Sequence, residues 1–362
     1  MNAPRTISRR NLLLGTIGAA GMASFAMAGC APSRSGGSAG GSGGITGSIR
    51  MANYPDWLGA NQISGFEKKY PGTTVSQGAL PDGAWTEYLR QNVGAYDFAL
   101  GGGTTMYQLL QSNLVTPVNA AMVPNLKNVP QTFIDACYGA MPLEQGKFGI
   151  AYNKVRVPDP PKSWAELFER AAEWSGRLVL PSHNGSAFGP ALLALGLDPN
   201  TNDKDEYNRG RDLVVGIKQH VKTFTETGVP ALMTDGSTDM LMAYDYDFAT
   251  AAAESDELGW INPAEGTTGY VDAWMLFADS KNQETVLAFM DYALDPEVYG
   301  DFINTTYASY IVPSAEPYID EGIKNDPALA FDVNLKVVYG KAETSAEHEA
   351  LASAAYQYLL NA

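Results

Sequence analysis

Few residues of this chain could carry covalent or acid–base chemistry. The histidines His183, His220 and His348 are scattered, with no metal-ligand spacing. His183 is the one base close to candidate nucleophiles, Ser182 and Ser186, and no oriented third group accompanies it. Gly40-Gly41-Ser42-Gly43-Gly44 has the spacing of an esterase elbow, but no strand precedes it and no helix follows. Tyr270-Val271-Asp272 offers a different chemistry. Two residues apart on a strand point to one face, so a phenol ring and a carboxylate there can share one ligand. Taken alone, such a pair is more often half-buried packing. These residue types point to binding rather than catalysis.

The chemistry that is clearest lies at the N-terminus. Arg5, Arg9 and Arg10 precede an apolar stretch, Leu12 to Met27, and then Met27-Ala28-Gly29-Cys30. This is the order of a secretory signal. Met27 to Cys30 resembles a bacterial lipobox, which predicts a lipidated Cys30 at the start of the mature chain, and Ser8-Arg9-Arg10-Asn11-Leu12-Leu13 resembles a twin-arginine signal. Residues 1–30 are thus expected to be the lipoprotein signal. Residues 31–48, mostly Gly, Ser and Ala, are expected to be a flexible tether. The predicted location is the outer face of the cytoplasmic membrane.

The folded body then runs from Ile49 to Ala362. The chain carries a net charge of −16, or near −19 once the three signal arginines are removed. Such acidity argues against nucleic acid, whose phosphates need a basic face. It favours cationic solutes. With Cys30 lipidated, Cys137 has no partner for a disulfide.

Strand and helix patterns alternate, which argues for α/β layers. Strands are predicted at 48–53, 73–77, 96–100, 178–180, 239–244 and 270–278. Helices are predicted at 62–70, 85–93, 104–112, 164–174, 187–195, 204–220, 283–294, 296–304 and 345–360. Ser163 with Glu166 reads as a capping box, and Thr104 and Ser345 as caps.

Several stretches resemble the spermidine/putrescine-binding proteins of bacterial ABC importers, within the family-1 extracellular solute-binding proteins. They are Phe66 to Gly72, Tyr96 to Leu100, Val123 to Asn128, Gly149 to Lys154, Pro161 to Phe168, and Asp295 to Val298. The resemblance implies a two-lobed, type II periplasmic-binding-protein-like fold. Each lobe would be a mixed sheet flanked by helices, with a ligand cleft between them. One lobe would hold 49–149 plus 272–314 and the other 150–271 plus 315–362. It implies no enzyme, no cofactor and no metal. It implies a monomer that hands its solute to a permease and its ATPase.

The same resemblance places the ligand. Tyr54 and Trp57 would be aromatic walls with Asp56 beside them, Tyr244-Asp245 and Tyr270-x-Asp272 would hold an aliphatic amine, and Tyr310 would close the cleft. Aromatic faces attract cations, and carboxylates direct ammonium groups. Three departures stand out. The family's second acidic position falls on Ser182 and Ser186, its Trp-Gly-Thr-Thr-Gly segment is Gln145-Gly146-Lys147-Phe148-Gly149, and its polar contacts after the Tyr-Asp strand become Gly101 to Thr104. One ammonium partner is therefore missing, and Lys147 would repel a cation if it faced the cleft. Open alternatives are another small solute (amino-acid-like, anionic or ferric), a lipid-anchored hydrolase and a surface scaffold.

Overall fold

The computed structural model describes residues 44–81, 85–182 and 186–362, with the side chains of Thr344 and Ser345 excepted. The signal, Cys30, most of the tether and His183 lie outside the described residues, as does the Ser345 side chain expected to cap the last helix.

The strands are β1 Gly47–Asn53, β2 Thr73–Ala79, β3 Phe98–Gly102, β4 Val115–Thr116, β5 Met141–Asn153, β6 Leu178–Leu180, β7 Val221–Phe224, β8 Met240–Tyr244, β9 Leu258–Ile261, β10 Thr267–Phe277 and β11 Val337–Tyr339. Their main order is β2-β1-β3-β10-β5-β8-β6-β7. β1 runs parallel to β2 and β3, whereas β10 runs antiparallel to both β3 and β5. β5 continues antiparallel to β8 and β9, and β6 lies parallel to β7 and β8. The result is an α/β fold with mixed sheets.

One core gathers on the β1–β3–β10 side. Phe98, Trp274, Phe289 and Phe66 form a chain of rings with centroids 5.1–5.5 Å apart. A second core is built on Trp164, Phe188, Tyr207 and the helix Ser345–Asn361, and a third on Val229, Met233, Phe248 and Trp260. Strand alternation feeds the last two. Ile150, Met240 and Met242 enter the second core, while Ala151, Leu241 and Ala243 enter the third. A sheet buried on both faces needs such continuous apolar strands.

β5 leaves the first core after Leu143 and enters the second at Phe148. β10 is in the first core from Val271 onward. The stretch expected to start the second lobe at 315 behaves otherwise. Ala315, Ile319, Ile323 and Leu329 are buried in the first core, because their apolar side chains find it before the chain moves on to Val338 in the second.

Local expectations meet mixed outcomes. The Ser163 hydroxyl accepts from Glu166 N at 3.0 Å, but the Glu166 carboxylate bonds Lys162 N instead of the cap residue. That helix stops at Glu169 and resumes as a 3₁₀ turn, Ala171–Trp174. Asp295 caps Pro296–Thr306 through Glu297 N. Thr104 lies inside the helix Gly103–Gln111, whose cap position is Gly102, two residues earlier.

Gly149 sits where the Trp260 indole crosses β5, and a Cβ there would fall inside that ring. Trp260 cannot swing away freely, because its Nε1 donates to Asn262 at 2.8 Å and its ring packs on Phe248. Gly149→Ala is therefore expected to destabilise the protein by about 1–3 kcal/mol, read as a lower denaturation midpoint.

Candidate functional site

Two neighbouring strands build the site. On β10, Tyr270 and Asp272 share a face. Antiparallel pairing sets Gly146 opposite Tyr270 and Glu144 opposite Asp272, so residues 144, 146 and 148 of β5 face the same way. Gly146 is required, because the Tyr270 ring occupies the space where a Cβ would stand. Phe148 pairs with Tyr244 of β8, and their rings lie 3.9 Å apart. Tyr244 meets Tyr270 edge-on at 5.9 Å and stacks on Tyr246 at 5.4 Å. This aromatic wall runs from half-buried Tyr270 to Tyr246, which is 38 % exposed.

Behind the wall lie two carboxyl groups. Glu144 is 2 % exposed and Asp272 8 %. The two side chains hydrogen-bond each other. Burial pushes Asp272 up to about 6. Burial also raises Glu144 well above the usual carboxylate range, and the charges of Asp272 and Asp245 raise it further. Like charges this close oppose each other's ionisation. Glu144 Oε1 is buried and has no hydrogen-bond partner among the described residues. Burial, then Glu144, Asp272 and Asp245, push the Tyr270 phenol upward as well.

On its other side Asp272 pairs with Gly102. A Cβ on Gly102 would meet only Val271 O, at 3.8 Å, so space remains there. The helix Gly103–Gln111 starts at this point with no side-chain cap.

Lys147 does not face this site. It alternates to the opposite face of β5 and is 1 % exposed. Its Nζ lies 3.5 Å from Asp245 Oδ2, donates to Ser309 Oγ at 3.2 Å and donates to the Ala328 carbonyl. Ser309 Oγ donates to the same Asp245 oxygen at 2.6 Å. Asp245, expected near a ligand ammonium, is thus the counter-ion of Lys147. The repulsion expected from Lys147 is cancelled where it arises.

The remaining expected residues are spread out. The Tyr54 hydroxyl accepts from Trp85 Nε1 at 2.9 Å, with the rings 5.7 Å apart. Asp56 is exposed on its loop. Trp57 packs edge-on against Phe302, and its buried Nε1 has no hydrogen-bond partner among the described residues. Tyr310 is 2 % exposed in the first core, with its ring against Phe331 and its hydroxyl toward Glu316. The structure therefore gathers Tyr244, Tyr270 and Asp272, puts Asp245 just behind them, and uses Trp57 and Tyr310 as packing. Ser186 hydrogen-bonds the Tyr244 phenol.

Glu144, Phe148 and Tyr246 were not foreseen. A buried-strand reading of 141–153 would have exposed Glu144 as an acid in an otherwise largely apolar run.

Residues 61–331 match the family described as bacterial extracellular solute-binding protein. The chain belongs to that family. It binds a solute and is not an enzyme. A putrescine-binding periplasmic protein of Pseudomonas aeruginosa is 20 % identical over 304 residues, covering 78 % of this chain and 83 % of the relative. The spermidine/putrescine-binding periplasmic protein of Escherichia coli is 22 % identical over 244 residues, covering 65 % and 69 %. Among solved structures, a spermidine/putrescine ABC transporter substrate-binding protein of Streptococcus pneumoniae superposes with TM-score 0.75 at 18 % identity, over 86 % of this chain and 99 % of that one. A lipoprotein of Treponema pallidum gives 0.67 at 21 %, over 85 % and 99 %. These likenesses establish the periplasmic-binding-protein fold. No helix among the described residues is long and apolar enough to cross a membrane.

Two outcomes follow from the buried charges. Removing one member of a buried ion pair strands the other, at about 3–5 kcal/mol. Lys147→Met is therefore expected to destabilise more than the double variant Lys147→Met/Asp245→Leu, as measured by chemical denaturation. Asp272 is less acidic folded than unfolded, so its contribution to stability falls as pH rises from about 4 to about 6. The stability of Asp272→Asn relative to wild type should accordingly rise across that window, and denaturation at pH 4 and pH 7 checks it.

Proposed function

We propose that this protein is the exported, lipid-anchored receptor of an ABC importer, and that it captures a small aliphatic polyamine, of the putrescine or spermidine type, for delivery to the permease and its ATPase. One observation carries the reading. A pair of buried carboxyl groups, Glu144 and Asp272, lies behind a wall of Tyr270, Tyr244, Phe148 and Tyr246. Methylenes pack on such rings, and an ammonium is attracted both to ring faces and to the carboxylates. Glu144 supplies the acid that the Ser182 and Ser186 positions lack. Lys147 is spent on Asp245, so it does not oppose a cation.

The amine relatives and the acidic chain support the same reading. Lobes divided along the separate cores, hinged where β5 and β10 run side by side, would close over the solute. Cys30 would hold the receptor at the membrane. A ferric site is disfavoured, because Tyr244, Tyr246 and Tyr270 all have phenols raised by burial and nearby carboxylates, which opposes tyrosinate. A zwitterionic amino-acid-like solute is a second reading. The uncapped helix start at Gly102, next to Asp272, favours it, since free amides there could meet a carboxylate.

Thermal shift against putrescine, spermidine, ω-amino acids and small anions tests the reading. An amine at about 100 times its Kd should raise Tm by roughly 5 °C. Asp272→Asn should weaken that amine about 30-fold or more, without lowering the Tm of the free protein at pH 7. Equal affinity in variant and wild type would remove Asp272 from the site. A shift with an ω-amino acid and none with a diamine would select the second reading.

A further inference from the structure

The carboxyl pair raises a question of charge. Glu144 and Asp272 are cross-strand neighbours, both more than nine-tenths buried, and Glu144 Oε1 has no partner among the described residues. Among the described residues the one cation that acts on Glu144 is Lys147, and the Asp245 charge beside it opposes that effect. Lys147 is bound to Asp245, and Asp245 to Lys147 and Ser309. From the strand's own side, the Tyr270 phenol is neutral. Tyr299 and Tyr339, from the neighbouring elements, and Cys137, before β5, are likewise pushed upward and stay neutral. β3 contributes only Gly102 opposite Asp272.

We propose that in the ligand-free protein Glu144 and Asp272 share one proton, and that the inner primary ammonium of the solute takes that proton's place, so that capture releases a proton to solvent. The inference rests on the amine-binding reading above. Charge balances at each stage. Before capture the pair carries one negative charge. The shared proton leaves to solvent, and two carboxylates then surround one ammonium. Glu144 Oε1 gains a donor, and a primary ammonium has three to offer. At pH 7 the pair holds one proton between its two carboxyl groups, because burial raises both and their like charges oppose a second ionisation. The deep end of the site therefore selects a primary ammonium, which can donate to both acids. A quaternary ammonium, with no N–H, leaves Oε1 unsatisfied.

Titration calorimetry of the purified protein with putrescine at pH 7, in phosphate and in Tris, decides the matter. Putrescine stays doubly charged there, since alkyl amines titrate near pH 10, so any released proton comes from the protein. The expected result is release of about one proton, seen as a buffer-dependent enthalpy. Affinity should rise by up to about tenfold per pH unit above pH 6. Glu144→Gln should abolish both the buffer dependence and that slope, and weaken putrescine about tenfold or more. Wild type alone is decisive if the variant fails to fold. Binding with a buffer-independent enthalpy and an affinity flat above pH 6 would overturn the shared proton and leave the amine site standing. Failure of putrescine, spermidine and other primary amines to bind would overturn both.

Discussion

Everything at the site depends on the antiparallel contact between β5 and β10. These are the long strands of the fold, and each reaches from the first core toward the second. Their pairing sets Glu144 beside Asp272 and Tyr270 over Gly146. It also aligns Phe148 for Tyr244 through the next strand. Register errors are severe in such a sheet, because one residue of slip inverts every side chain. The apolar ends of both strands, buried among Leu143, Ile150, Trp274 and Phe277, prevent that slip.

The site also shows how a folded chain can carry acids in its interior. Lys147 and Asp245 neutralise each other on one face of β5, with Ser309 and a backbone carbonyl filling the remaining bonds. Glu144 and Asp272, on the other face, are both acids, hydrogen-bonded to each other and opposing each other's ionisation. The first arrangement is closed and structural. The second retains an unsatisfied oxygen among the described residues and carboxyl groups held less acidic than usual, features that cluster at functional sites.

Much of the fold was legible in the sequence. A cap such as Ser163 marked a helix start, and apolar runs marked β1, β3, β8 and β10. β5 was hidden because it crosses environments. Its first residues pack in one core and its last in another, and glycines at 146 and 149 break the period that a reader looks for. Spacing put Tyr270 and Asp272 on one face of their strand, as the structure has them, while the family resemblance marked them as ligand candidates. The site was not legible where a tertiary partner decides. Lys147 looked like an intruder until Asp245 was found beside it, Tyr310 looked like a cleft residue until Phe331 covered it, and Glu144 drew no notice without the strand that carries it.

The closed ion pair also shapes how this lineage can change. A substitution at position 147 or 245 alone leaves an unpaired charge in the interior, whereas a matched change at both does not. Homologues should therefore hold a cation and an anion at these two positions, or neither, with mixed states rare. Change at Tyr244 is tied to the same constraint, because Tyr244 and Asp245 are adjacent in the chain and one step of the backbone serves both.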